Sequence, residues 1–311
     1  MPATTPTPPT GSMTNPPSEL YTWQGYQCAY EFYPASEAAT QSIPLVLLHP
    51  IGVGLSRYFW HRFCNEWRQR GYSNPIYNPD LLGCGESDLP RAAYTPADWA
   101  EQLQYLLKTV IKKPVILLAQ GAELTLALAL LQQDASLIQG LVLAGPPAWA
   151  VITQETPTWQ QKVTWNLLDS PLGSAFYQYA RSRKFLKSFS ARQLFADSAK
   201  IDAEWLDTLR EGAVNLDSRY AVFSFLAGFW RQDYEKAIAS ITQPTLVVVG
   251  EQATSISRKG LSETSDQRIA QYLKYLPQGT ARQIPGRNVL PYESTGEFTT
   301  VVAEFVKQFE R

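Results

Sequence analysis

The stretch that decides the fold is Pro114–Glu123, which reads PVILLAQGAE and runs directly into the apolar segment Leu124–Gln133, LTLALALLQQ. Residues Val115–Ala119 form a short continuous apolar run, which is typical of a strand buried in the middle of a parallel sheet. Gly121 follows this run, and the Leu- and Ala-rich segment after it favours a helix. The sequence therefore predicts a buried strand, a sharp turn and a helix.

Working outward from this unit, short apolar segments alternate with segments of helical periodicity. Strands are predicted at Ile43–Leu48, Asn74–Asn78, Leu141–Ala144, Pro244–Gly250 and Ala281–Gly286. Helices are predicted at Arg57–Arg70, Thr95–Lys112, Asp266–Leu276 and Gly296–Phe309. The aromatic segment Leu20–Phe32, broken by Gly25, is typical of an antiparallel hairpin. Strands that alternate with helices predict an α/β fold, with a mostly parallel sheet and helices on both faces.

The composition changes along the chain predict three regions. Residues 1–19 are mostly Pro, Thr, Ser and Gly, so we expect a disordered N-terminal tail. Residues 148–240 are rich in aromatic side chains and contain no clear strand, which predicts a helical cap inserted between two core strands. The α/β core would then consist of residues 20–147 and 241–311.

Composition also limits the classes of function. The net charge is -1 and charged residues make up 18% of the chain, so the basic excess that usually accompanies nucleic-acid binding is missing. Cys28, Cys64 and Cys84 lack paired short spacing, so neither a disulfide framework nor a metal site is expected, and no cofactor is implied. No apolar run reaches the roughly 18 residues of a spanning helix, and no signal peptide is evident. We expect a cytoplasmic protein, and the alternative is a location peripheral to a membrane.

Five segments, in this chain order, resemble the cap-bearing branch of the α/β-hydrolase superfamily, which contains epoxide hydrolases, haloalkane dehalogenases and many esterases. They are LVLLHPIG at 45–52, PDLLGCGESD at 79–88, AQGAE at 119–123, PTLVVVGEQA at 244–253 and IPGRNVLP at 284–291. In this superfamily the first segment is the oxyanion loop and the third is the nucleophile elbow, with the pattern G-x-S-x-G. The fourth and fifth carry the acid and the histidine. The resemblance implies the α/β-hydrolase fold.

The same resemblance places the catalytic triad at positions that cannot support it. The nucleophile, acid and histidine positions are occupied by Gly121, Ala253 and Val289. The chain has only two histidines, His49 and His61, and both precede the elbow, so no alignment supplies a downstream base. Because the members of a triad act through one another, we predict that hydrolysis through an acyl-enzyme is absent.

The neighbourhood of the elbow leaves several roles open. The resemblance implies that the backbone N–H groups of Ile51 and Ala122 form the oxyanion hole. His49 is expected to hydrogen-bond beneath the oxyanion loop, and its alternative role is ligand contact or acid. Glu123 replaces a small residue of the family, so either packing is looser here or its carboxylate points into the vacated site. For Glu123 and Glu251 a surface or salt-bridged role is favoured over acid–base chemistry.

The predicted cap offers two further candidates. Its aromatic residues, including Trp149 and Trp165, are expected mainly to pack the cap, although a pocket beneath it would favour an apolar or amphipathic ligand. The segment Arg181–Arg192, RSRKFLKSFSAR, is basic and amphipathic. A solvated face is the simpler interpretation, and an anionic membrane or acidic protein partner is the alternative. In that alternative the contacts are made by Arg181, Arg183, Lys184 and Lys187.

These observations lead to three hypotheses. The first is a catalytically silent α/β-hydrolase-fold protein, a pseudoenzyme, that binds a small apolar ligand or a protein partner through His49, Ile51, Ala122, Glu123, Trp149 and Trp165. The second is an enzyme with non-standard chemistry, such as a lyase, an isomerase or an unconventional hydrolase, that uses the oxyanion donors without a covalent step. The third is a peripheral membrane or assembly scaffold that uses the basic segment.

Overall fold

The structure is a computed structural model that describes residues 15–35 and 42–309. Its centre is an eight-stranded sheet with the strand order β1-β2-β4-β3-β5-β6-β7-β8. The strands are β1 Ser18–Trp23, β2 Tyr26–Tyr33, β3 Leu45–Leu48, β4 Ile76–Pro79, β5 Val115–Gln120, β6 Ile138–Ala144, β7 Thr245–Gly250 and β8 Gly279–Ile284. β1 and β2 form the predicted antiparallel hairpin, β2 is antiparallel to β4, and the other strand pairs are parallel.

Thirteen α-helices surround or extend the sheet within the described residues. They are α1 His61–Gln69, α2 Pro96–Leu106, α3 Leu124–Asp134, α4 Trp149–Ile152, α5 Thr158–Leu168, α6 Pro171–Ala180, α7 Arg183–Phe189, α8 Ala203–Gly212, α9 Arg219–Ala227, α10 Glu235–Ala239, α11 Ser265–Tyr275, α12 Leu290–Glu293 and α13 Thr295–Val306. Shorter 3-10 turns precede α1 at Arg57–Trp60 and α3 at Gly121–Glu123. None of the described helices is long and apolar enough to cross a membrane.

β5 occupies the middle of the sheet, and all six of its residues are buried. It lies between β3 and β6, with Ala119 opposite Leu48 and Leu143. Along β5 successive side chains enter different cores, because Leu117 and Ala119 belong to one apolar cluster and Ile116 and Leu118 to the other. The continuous apolar run of the sequence thus reflects a strand that is covered on both faces.

The two apolar clusters show which helices cover each face of the sheet. One cluster contains side chains of α2 and α3, such as Leu103 and Leu126. The other contains side chains of α1 and α13, such as Trp67 and Val302. The predicted α/β architecture, with helices on both faces of a mostly parallel sheet, is therefore confirmed.

The segment between β6 and β7, which the structure describes throughout, consists of helices α4–α10 without a strand. It packs closely on the core, because a Cβ at Gly212 of α8 would lie 2.3 Å from the backbone oxygen of Gly54. The backbone N–H of Tyr94 also donates to Ser224 Oγ of α9 at 2.9 Å. The helical segment thus contacts the core at two points, through α8 and through α9.

At the N-terminus the sheet begins inside the predicted disordered tail. Ser18 and Glu19 belong to β1 and lie opposite Glu31 and Tyr30 of β2. The Tyr30 hydroxyl donates to Glu19 Oε2 at 2.5 Å. Backbone pairing does not require an apolar side chain, which is why the composition of this segment did not indicate a strand. Residues 1–14, the rest of the predicted tail, lie outside the described residues.

Candidate functional site

The elbow between β5 and α3 has the backbone that the sequence predicts. Gly121 has a φ of +63°, in the left-handed region that glycine adopts with little strain. A Cβ at this position would meet no atom within 4 Å, and the residue is partly exposed. The position that the resemblance assigns to the nucleophile is therefore open and partly exposed.

The loop between β8 and α12, which carries Val289, lies against the elbow. The side chain of Gln120 donates from Nε2 to the backbone oxygen of Asn288 at 2.7 Å. A Cβ at Gly145, just after β6, would lie 2.8 Å from the same oxygen. Val289 itself is buried. The structure thus places the predicted histidine position next to the strand end that carries Gly121.

The loop after β7, which carries Ala253, is joined to the same region. The backbone N–H of Gln252 donates to the oxygen of Gly286 at 3.0 Å, and that of Glu251 donates to the oxygen of Ile284 at 2.9 Å. Ala253 is buried. Hydrogen bonds therefore link the loops that carry Gly121, Ala253 and Val289. None of these three residues has a side chain that can act as a nucleophile, acid or base.

His49, at the start of the oxyanion loop, is fully buried and both of its ring nitrogens have partners. Nε2 accepts the backbone N–H of Leu81 at 3.1 Å, and Nδ1 lies 3.1 Å from the backbone oxygen of Pro50. A neutral ring with its proton on Nδ1 satisfies both contacts. Burial lowers the pKa of His49 and keeps the ring neutral. These contacts fit the structural role beneath the loop that the sequence favours.

The turn formed by residues 79–88 contacts the oxyanion loop through the hydrogen bond between Leu81 and His49. Asp80 accepts the backbone N–H groups of Arg57 at 2.8 Å and Glu86 at 2.9 Å, and it pairs with the Arg57 guanidinium. Arg57 Nε also lies 3.1 Å from Glu31 Oε1. A Cβ at Gly85 would lie 2.2 Å from the Asp80 carboxylate, so the glycine is required for this carboxylate to fit. The Gly-rich segment is therefore a turn that closes on its own aspartate.

Glu123 differs from the expectation of a surface or salt-bridged role, which is wrong for this residue. It is 3% exposed, and no cationic side chain among the described residues pairs with it. Burial raises the pKa of its carboxyl to about 8, although a hydrogen bond from the backbone N–H of Ile51 lowers it. The carboxyl thus lies near one of the two predicted oxyanion donors. Glu251, in contrast, is exposed after β7, as expected.

The two tryptophans named as binding candidates have aromatic partners. Trp149 stacks on Tyr275, with ring centroids 4.7 Å apart, and meets Tyr272 edge to face at 5.3 Å. Trp165 contacts Phe229, with centroids 5.7 Å apart. These contacts join α4 to α11 and α5 to the segment after α9. A ligand-binding role for either residue stays a prediction.

The basic segment of the cap is only partly paired. Arg181 Nη1 donates to the backbone oxygens of Ala213 and Val214 at 2.9 and 3.0 Å. Arg183 pairs with Asp207 of α8, whereas Lys184 and Lys187 are exposed and project from α7. Of the four basic residues predicted to contact a partner, Arg181 and Arg183 therefore bind other parts of the protein, and Lys184 and Lys187 remain at the surface.

The sequence analysis missed the supporting role of Arg57 and Asp80. The segment PDLLGCGESD contained a usable signal, because two closely spaced glycines after an aspartate indicate a backbone folded tightly around the aspartate side chain.

The buried thiols of Cys28, Cys64 and Cys84 form no disulfide with one another. No cluster of three or more His, Cys, Asp or Glu within 15–35 and 42–309 is arranged to hold a metal ion.

Comparisons with known proteins show the same fold. Solved structures that resemble the chain include a thermophilic esterase from Thermogutta terrifontis, with a TM-score of 0.70, 17% identity and coverage of 94% of this chain and 98% of that chain. CarC, a serine hydrolase involved in carbazole degradation, gives a TM-score of 0.72 at 17% identity, covering 94% and 98%. The enol-lactonase from Burkholderia xenovorans LB400 gives 0.70 at 15%, covering 93% and 100%.

At the level of sequence, no curated protein matches the chain. The family model described as "Alpha/beta hydrolase family" matches residues 45–300, from β3 to within α13. This match covers most of the chain and includes the elbow, the oxyanion loop and the loops that carry Ala253 and Val289. The chain therefore belongs to the alpha/beta hydrolase family.

Proposed function

We propose that this protein is a catalytically silent member of the family, a pseudoenzyme, that binds a small apolar ligand above Gly121. The observation that carries the proposal is the open position at Gly121, where a side chain would meet nothing within 4 Å. The two loops joined to it present Ala253 and Val289 instead of an acid and a histidine. A site that keeps its space and lacks its reactive groups is suited to binding.

Two features argue against acyl transfer at this site. No serine, cysteine or threonine stands at position 121, and no histidine follows the elbow in the chain. In addition, the Ile51 N–H, which would stabilise an oxyanion, lies close enough to the Glu123 carboxyl to lower the pKa of that carboxyl. An oxyanion donor contributes about 10²–10³-fold to the rate of acyl transfer, so its loss adds to the absence of the triad.

The side chains around the open position indicate the class of ligand. Ala122, Ala253 and Val289 are apolar, and Glu123 stays protonated below a pH of about 8 because burial raises its pKa. A neutral carboxyl offers one hydrogen-bond donor and no fixed charge. We therefore expect an uncharged, largely apolar ligand that carries at most one acceptor.

Titration with the uncharged dye Nile red tests the binding proposal. We expect saturable binding at one site, weakened at least about tenfold in Gly121→Leu because the new side chain fills the open space. Gly71→Leu is the matched control, since Gly71 has a φ of +75° and a Cβ there also meets nothing within 4 Å. Both variants carry similar backbone strain, but only the first blocks the site. Equal dye affinity in the two variants would overturn the proposal.

A second candidate function is an enzyme with non-standard chemistry, and one observation favours it. Glu123 is buried next to the elbow, and its carboxyl has a pKa of about 8, which suits proton transfer near neutral pH. The two candidates differ in p-nitrophenyl acetate turnover. The pseudoenzyme gives no turnover above the buffer rate, whereas turnover that disappears in Glu123→Gln would support the second candidate and contradict the first.

A further inference from the structure

Helix α5 exposes a stripe of large apolar side chains. None of its residues is buried. Trp159, Val163 and Leu167 follow one another at intervals of four residues and are 69%, 60% and 56% exposed. This spacing places the three side chains on one face of the helix. An apolar helix face would normally turn toward the core, so this orientation requires an explanation.

Helix α6 continues the apolar surface. Leu172, Phe176 and Tyr179 are spaced by four and three residues and are 70%, 40% and 64% exposed. The other side of the helix is anchored in the protein, because Tyr177 is buried and contacts Ser218 through its hydroxyl at 2.8 Å. The rotation of α6 about its axis is therefore fixed by internal contacts that leave its second apolar face outside.

The two helices and α7 follow one another in the chain and are in contact. A Cβ at Gly173 would lie 1.7 Å from the backbone oxygen of Leu168, so the end of α5 and the start of α6 are in close contact. At the other end of α6, the rings of Tyr179 and Phe185 meet edge to face with centroids 5.2 Å apart. We call the surface formed by α5, α6 and α7 the apolar–basic face.

The charge on this face is one-sided. Residues 158–192 contain six basic side chains and one acidic side chain, Asp169, although the whole chain has a net charge of -1. Asp169 is not free, because it pairs with Arg91 at 3.0 Å. Lys162, Lys184 and Lys187 are exposed. Arg183 pairs with Asp207 of α8, so Lys162, Lys184 and Lys187 are the exposed cations that accompany the apolar stripes.

We propose that the apolar–basic face docks on an anionic lipid bilayer surface. The exposed Trp159, Leu172 and Tyr179 would enter the headgroup region, where amphipathic aromatic side chains are favoured, and the lysines would contact lipid phosphates and carboxylates. A second copy of the chain is a poorer occupant, because it would bring a face of the same positive charge. The proposal uses residues separate from the elbow, so it stands independently of the proposed ligand binding.

Co-sedimentation of the full-length protein with two kinds of vesicle tests the proposal. One kind is pure phosphatidylcholine, and the other contains phosphatidylcholine and phosphatidylserine in equal proportion. We expect binding to the anionic vesicles and little to the neutral ones. Lys184→Gln/Lys187→Gln should lower the partition coefficient about 25-fold at low salt, and Trp159→Gln/Val163→Gln should lower it at least about tenfold.

A matched control removes the same charge from the opposite side of the molecule. Lys113 and Lys307 are exposed, Lys113 just before β5 and Lys307 just after α13, away from the strand ends that carry the elbow. Lys113→Gln/Lys307→Gln should bind the anionic vesicles like the parent protein. Added salt should weaken binding of the parent more than that of the lysine variant, because exposed charges are screened.

Three outcomes would overturn the proposal. The first is absence of binding to the anionic vesicles by the parent protein. The second is equal loss of binding in the control and in Lys184→Gln/Lys187→Gln, which would indicate non-specific attraction. The third is a dimer, seen by analytical ultracentrifugation, that dissociates in Trp159→Gln/Val163→Gln, since the face would then be covered by a second copy. Thermal unfolding of each variant confirms that the change in binding is not a loss of folding.

Discussion

At the residue scale, the protonation of Glu123 determines the charge next to the elbow. The Glu123 carboxyl is buried, and its pKa is raised by that burial and lowered by the nearby backbone N–H of Ile51. Among the described residues no cation compensates for its charge, so the ionised form is unfavourable. The folded protein therefore binds a proton at Glu123 more tightly than the unfolded chain does.

This difference predicts a pH-dependent stability. The pKa of Glu123 is about 8 in the folded protein, against 4.5 for a free glutamate, so stability should fall as pH rises from about 4.5 to about 8. Glu123→Gln removes the titration and should be about 2–4 kcal/mol more stable than the parent near pH 8. Urea unfolding across this range measures the difference. Near pH 4.5 the two proteins should be similar, and a gap that does not widen with pH would contradict the argument.

At the element scale, the 3-10 turn before α1 and the turn after β4 are joined by a buried ion network. Arg57 is 1% exposed and lies between Asp80 and Glu31, which are 0% and 2% exposed. Removing the cation would leave the buried Asp80 carboxylate without its cationic partner, whereas Glu31 would keep its contact with His61. Because His49 is bonded to Leu81 in the same turn, the oxyanion loop depends on this network as well.

We expect Arg57→Met to lower the free energy of unfolding by about 3–5 kcal/mol. Arg183→Met provides the comparison, since Arg183 pairs with Asp207 at the surface and an exposed pair contributes at most about 1 kcal/mol. Chemical denaturation of both variants at neutral pH gives the two values. A loss at Arg57 as small as that at Arg183 would show that the buried network does not support the turn.

The elements also show where sequence patterns are informative. The strand–turn–helix unit around Gly121 was predicted because β5 is buried on both faces and its apolar run is continuous. β8 was predicted as Ala281–Gly286 but is Gly279–Ile284. As an edge strand it is largely exposed, so its sequence, GTARQI, contains no apolar run to mark its start. The signal therefore depends on how much of a strand the fold buries.

At the candidate site, too, the sequence pattern predicts only part of the structure. Motif order was sufficient to assign Gly121, Ala253 and Val289 to loops that the structure joins by hydrogen bonds. The burial of Glu123 was not predictable, because it depends on the approach of the oxyanion loop, 70 residues earlier in the chain. The exposed stripe of α5 was also missed, since apolar residues at helical spacing give the same pattern whether the face is buried or exposed.

At the scale of the whole molecule, the chain has the fold of the alpha/beta hydrolase family, and hydrogen bonds join the loops that carry Gly121, Ala253 and Val289. The loops around Gly121 are held by backbone contacts that do not involve a triad. Replacing the missing side chains should therefore not require a new backbone. The remaining difference that we expect to matter is Glu123, whose buried carboxyl lies near the backbone N–H of Ile51.

A reconstruction of the triad separates the effect of the triad side chains from the effect of Glu123. The variant Gly121→Ser/Ala253→Asp/Val289→His restores the three groups but retains Glu123, so we expect little p-nitrophenyl acetate hydrolysis. Adding Glu123→Gly frees the Ile51 N–H and should raise the rate about 10²–10³-fold, the contribution of one oxyanion donor. The parent protein with Glu123→Gly alone is the control and should stay inactive, because it lacks the triad. Equal rates in the triple and quadruple variants, both folded by circular dichroism, would mean that Glu123 does not block the oxyanion hole.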